Sequence, residues 1–193
     1  MGSMSIGTVA LRGVVGPLFV GHGTQKLFGW FDGHGLAATG QFFESVGLRQ
    51  GRRHALAAGA AEAGGGALLA AGLATPAATG SLAAVMLTAI RKVHAPNGPW
   101  VTENGFEYNA VLIGALAALV EHGPGSPSVD ARLFPNWKGA GWAALMVGTA
   151  VGGSFLVDAL SEPAPQDTAS AGDPAVTAAA AEQARFEKAS QPS

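Results

Sequence analysis

The residue that most needs a chemical explanation is Glu62. From His54 to Ile90 there are 37 residues, and Glu62 is the one formal charge among them. A carboxylate in the middle of an apolar helix costs about 2.5–3.5 kcal/mol on insertion scales, so it faces the inside of a bundle and pairs with something. The candidate cations are Arg12, Lys26 and Arg91. At 100° per residue, Arg12, His22 and Lys26 fall within about 80° of one another, and Gln25 lies beside them. One stripe of the first helix therefore carries three cationic or titratable groups. A structural reading makes Glu62 and Arg12 an ion pair that holds two helices in register. A functional reading makes Arg12, His22, Gln25, Lys26 and Glu62 a polar pocket that binds a headgroup such as a quinone ring, or relays a proton.

A second polar cluster gathers Arg91, His94, Glu107 and Asn109 at one end of the chain's helices. It reads either as a solvated loop and cap or as the mouth of a site, where His94 with Glu107 exchanges protons near neutral pH. Metal binding has little support, because His22, His94 and His122 lack ligand spacing. With Cys 0, thiolate metal sites, iron–sulfur clusters and disulfides are excluded, and nothing marks a haem. There is no P-loop, and the glycines around Gly64 do not sit between a strand and a helix. A net charge of −2 without a basic cluster argues against nucleic acid.

The elements that position these residues are helices in a chain with few charges. Charged residues make up 12% of the sequence, about half the ~25% usual for a soluble domain. Five apolar spans are expected, at about 8–28, 54–74, 76–94, 105–122 and 137–160. From Gly139 to Val157 there are 19 residues without a charge. The second and third spans meet at Thr75-Pro76 and should form an antiparallel hairpin, with proline in the first turn of the third helix. The expected fold is an all-α integral membrane bundle over residues 1–160. An Ala-rich soluble bundle is the competing reading, but glycine and alanine also serve where membrane helices pack closely.

The remaining segments complete this expectation. Residues 41–46 suggest a short interfacial helix with Phe42 and Phe43 facing the membrane. The stretch from Gly123 to Asn136 reads as irregular. Residues 161–193 read as a flexible polar tail, with a short helix around 178–189. Trp30, Trp100, Trp137 and Trp142 fall at span ends, as interfacial anchors do. Arg49, Arg52, Arg53, Arg91 and Lys92 weight the first and third loops toward the cytoplasm, with the N-terminus outside.

Several segments together resemble the DoxX family. They are Phe19-Val20-Gly21-His22-Gly23-Thr24-Gln25-Lys26, Phe43-Glu44-Ser45-Val46-Gly47-Leu48, and the run from Ala61-Glu62 through Thr75. Arg91-Lys92-Val93-His94, Gly105-Phe106-Glu107-Tyr108-Asn109 and Gly123 to Asp130 continue the likeness, which covers about residues 9 to 131. The resemblance implies a multi-pass bacterial inner-membrane protein with a four-helix core, to which this chain adds a fifth span and a tail. It also implies a subunit supporting quinone-linked redox or oxidative and thiol-stress chemistry, with soluble partners such as superoxide dismutase or a sulfurtransferase. The alternatives are a non-catalytic membrane scaffold that recruits such enzymes, and a small-solute transporter. Without cysteine the chain cannot itself carry a persulfide.

Overall fold

The computed structural model describes residues 6–161, and within them the chain is helical. The segments are α1 (Ile6–Phe28), α2 (Gly35–Ser45), α3 (Gly51–Ala71), α4 (Thr75–Ala89), α5 (Glu107–His122), α6 (Val129–Leu133) and α7 (Ala140–Ala159). The proposed tail helix at 178–189 lies outside the described residues.

The long helices run alternately up and down, which gives the bundle two ends. The turn end holds the start of α1, the α3–α4 turn and the α5–α7 connection. The loop end holds α2, the segment between α4 and α5, and the last turn of α7. Helix α3 stops at Gly72, whose φ of 62° is left-handed and whose N–H bonds back to the helix carbonyls. Thr75 and Pro76 then open α4 at once.

Glycines set the pairing of α1 with α3. A methyl group added at Gly16 would lie 2.8 Å from the Gly66 carbonyl oxygen, and one at Gly23 would lie 2.6 Å from that of Gly59. The two backbones touch at both levels, as small residues allow in closely packed helices. This contact fixes the register and puts Arg12 level with Ala70. Helix α4 then packs parallel to α7, with Gly80 against Thr149 and Gly153 against Ala84. The core between α4, α5 and α7 is Leu82, Met86, Leu112, Leu116, Leu119 and Met146.

The outward faces are apolar. Val14, Leu18, Val111, Leu145, Val151 and Phe155 are all exposed. The charges that α3, α5 and α7 carry on their surfaces sit in a first or last turn: Arg52, Arg53, Glu107, Glu121 and Asp158. Arg12 and Glu62, the two charges within helix interiors, are buried at 6% and 1% exposure. A water-facing helix would show the reverse pattern. Among the described residues one helix, Ala140–Ala159, is long and apolar enough on its own to cross a membrane.

Three local expectations need correction. The helix expected at 41–46 begins at Gly35, because Gly40 lets α2 lie directly on the backbone of Arg52 in α3. Phe42 and Phe43 line an internal cavity rather than only an outer face. The stretch expected to be irregular contains α6, whose start is capped by the Ser128 hydroxyl accepting from the Ala131 N–H at 3.1 Å.

Candidate functional site

The stripe expected on α1 divides between the two ends of the bundle. At the turn end, the Arg12 guanidinium donates to the Ala70 carbonyl at 2.7 Å and to the Pro127 carbonyl. It satisfies a terminal carbonyl of α3 and ties that helix to the segment before α6. Close by, buried Asp130 accepts the N–H groups of Ala74 at 2.9 Å and Thr75 at 2.7 Å, closing the start of α4. The Asp130 N–H in turn reaches the Gly72 carbonyl at 2.9 Å. All of these interactions involve backbone groups.

Glu62 therefore pairs with Lys26, not with Arg12. The ion pair is 2.6 Å long, with the Glu62 side chain 2% exposed and that of Lys26 25% exposed. The glycine-set register explains the choice. Arg12 faces Ala70, eight residues or about 12 Å along α3 from Glu62. Lys26 lies toward the loop end, and its long side chain reaches down to the carboxylate.

The ion pair lines a cavity of about 710 Å³, walled by α1, α3, α4 and α5 and reached by α2 and the α4–α5 segment. Gly153 and Val157 of α7 complete the wall. Phe19, Phe42, Phe43, Met86 and Leu112 make much of it apolar. The volume falls within the ~300–1,000 Å³ of small-molecule and cofactor sites.

His22, Lys26 and Glu62 from the first expected cluster line this cavity, and so do His94 and Asn109 from the second. The two clusters thus contribute to one space. Four other expected residues do not line it. Arg12 is at the opposite end. Gln25 accepts from His22 at 3.1 Å and donates to the Phe31 carbonyl at 3.1 Å. Glu107 accepts the Val101 N–H at 2.8 Å and braces the segment before α5. Arg91 turns to α7, donating to Ser154 and pairing with Asp158 at 2.5 Å beneath the Phe155 ring.

A π-helical turn, Ile90–His94, produces that divergence. Widening the helix by one residue per turn separates side chains that an α-helix would stack, a device common at functional sites. Arg91 points to α7. Lys92 lines the cavity and also pairs with Asp158 at 2.5 Å. His94 bonds the Asn104 carbonyl at 2.8 Å. Sequence reasoning missed His54, which lines the cavity and bonds Ser161 at 3.2 Å. Its place at the start of an apolar span looked like an ordinary helix end. Among the described residues, no group of three or more His, Cys, Asp and Glu is placed to hold a metal ion.

These features define a class: a small helical membrane-associated protein with a mostly apolar cavity crossed by one ion pair. Residues 7–95 match the DoxX family model, so this part of the chain is DoxX-like. The match covers α1 through the π-helical turn. No curated protein and no solved structure matches the chain.

Proposed function

We propose that this chain is a multi-pass protein of a bacterial inner membrane, crossed by α1, α3, α4, α5 and α7, that binds a quinone head at its loop-end cavity. The reading rests on the Lys26–Glu62 pair held in an apolar cavity. The apolar outer faces and the position of charges at helix ends support the spanning arrangement. Arg49, Arg52, Arg53, Arg91 and Lys92 at the loop end favour its cytoplasmic placement, against Arg132 and Lys138 at the other.

A bound quinone supplies two-electron, two-proton redox chemistry. The residues of this chain would hold it. Phe42 and Phe43 offer aromatic faces to a ring, and Lys26 keeps ammonium protons beyond the one on Glu62. Glu62 balances that charge inside the cavity, and the histidines connect the cavity with the loop end. Soluble redox enzymes, such as a superoxide dismutase or a sulfurtransferase, would meet the protein on the cytoplasmic side and share in oxidative or thiol-stress chemistry.

Quinone analysis of the detergent-purified protein tests this reading. Wild type should carry near-stoichiometric quinone, and Glu62→Gln should lose it while keeping its helical content. Absence of quinone from wild type, with no uptake of added quinone, overturns the reading and leaves the bundle as a scaffold.

A further inference from the structure

The cavity reaches further around α4 than a space inside the bundle can. Met86 and Ala84 both line it, yet at 100° per residue they point about 200° apart on that helix. Met86 faces α5, where its sulfur accepts from the Asn109 amide at 3.4 Å. Ala84 faces α7, its methyl 3.0 Å from where a Cβ on Gly153 would lie. The space lined by the Lys26–Glu62 pair therefore continues between α3 and α4, to the side of α4 on which α7 packs.

This side passage is bounded at both ends. Toward the turn end α3 and α4 close on each other, and a methyl group added at Gly65 would lie 3.0 Å from the Leu82 Cγ. Toward the loop end His54, near the start of α3, bonds Ser161, just past α7, at 3.2 Å. Between the two contacts lie eleven residues, or about 16 Å, of α3. Helices α3 and α7 each pack on α4 and scarcely touch one another. Small residues keep the passage open: Ala57, Ala58 and Ala61 on α3, Ala84 on α4 and Gly153 on α7. Its two hydroxyls are turned onto their own helix, Ser81 donating to the Ala78 carbonyl at 3.0 Å and Thr88 to that of Ala84 at 2.8 Å. Ala61 is the midpoint of α3, and Ala57 at the outer edge is exposed. The passage therefore opens sideways, at the depth where a spanning α3 meets hydrocarbon.

We propose that this passage is a lateral port. The ligand's ring head sits by the Lys26–Glu62 pair, and its alkyl chain runs out between α3 and α4, past α7, into the bilayer. The proposal rests on the quinone-site reading and adds the route of entry and the part of the ligand that the small residues recognise. An alkyl chain in the port exchanges lipid contacts for contacts with alanine methyls. A polar chain there would lose its water and find few partners. An exit at the loop end would instead lay the alkyl chain beside His94 and Asn104, among the polar groups of the α4–α5 segment.

Photolabelling tests the route. A benzoquinone bearing a decyl chain, with a diazirine at the middle of that chain, is bound to the full-length protein in detergent and irradiated, and the labelled peptides are identified by mass spectrometry. Labels competed by the unmodified decyl quinone should fall within residues 57–61, 84–89 and 153–157. Competed labels that fall elsewhere, as on α2 or the α4–α5 segment, overturn the port and leave the quinone site standing. No labelling, or labelling that the unmodified quinone does not compete, overturns both. A substitution gives a second readout. Ala61→Phe fills the passage and should weaken binding of the decyl quinone at least about tenfold, while tetramethylbenzoquinone, which lacks the chain, should keep its affinity within about twofold. Equal effects on the two quinones in the folded variant overturn the port. The labelling map needs no variant, so it stands even if Ala61→Phe misfolds.

Discussion

At the turn end of the bundle, Arg12 and Asp130 bond to backbone groups, closing the end of α3 and the start of α4. At the loop end, Lys26 and Glu62 bond to each other, and the space around them stays open. Both ends bury charge. At one end the charge replaces missing helix hydrogen bonds. At the other it is neutralised by a partner side chain and keeps an oxygen available. Burial of an ionisable residue therefore does not by itself mark a site in this protein. What separates the two ends is whether the partner is backbone or side chain, and whether a cavity adjoins it.

Substitutions at four positions can break or sharpen that contrast. Arg12→Ala should be the most damaging, lowering stability by about 2–4 kcal/mol, because it leaves two carbonyls unpaired in a buried place. Thermal unfolding in detergent measures it. Arg12→Lys should restore less than half, since one ammonium lacks the forked reach of a guanidinium. Asp130→Asn should cost about 1–2 kcal/mol in the same assay, because the amide accepts one of the two N–H groups and opposes the other. A neutral outcome for both would show that the turn end does not depend on these bonds.

Glu62→Gln should behave in the opposite way. Its stability change should stay within about 1 kcal/mol, because the amide oxygen still accepts from Lys26. Quinone affinity should nevertheless fall at least about tenfold. If instead Glu62→Gln unfolds the protein as Arg12→Ala does, the two ends are alike and the pair is structural. Asp158→Asn should have the smallest effect, under about 1 kcal/mol, because its ion pairs lie at a helix end where water competes. Faster proteolysis of the α7 C-terminal turn would reveal it, and added salt should narrow the difference from wild type.

Much of the fold was legible in the sequence. The five long apolar stretches correspond to α1, α3, α4, α5 and α7, and Thr75-Pro76 does open α4. The scarcity of charge also singled out Glu62, and helical periodicity grouped its candidate partners on α1. It could not choose the partner, because a helical wheel gives angle but not depth. Depth is set by where Gly16 and Gly23 let α1 touch α3, a contact between backbones that no charge pattern announces. The divergence of Arg91, Lys92 and His94 was hidden for a related reason, since a π-helical turn leaves no compositional mark. The α6 helix did carry a signal, Ser128 as a cap with Asp130 in the first turn, but the surrounding glycines and prolines obscured it.

The shared acid Asp158 also bears on the order in which the molecule can be completed as it is synthesised. Lys26 meets its carboxylate 36 residues after it emerges, so the ion pair is available as soon as α3 is made. Arg12 waits 115 residues for the Pro127 carbonyl. Arg91 waits 67 residues for Asp158, and until then the end of α4 carries two uncompensated positive charges. The same last helix brings Gly153 and Val157 to the cavity wall. The wall of the cavity is thus completed, and the charges of Arg91 and Lys92 are neutralised, in a single late event: the arrival of α7.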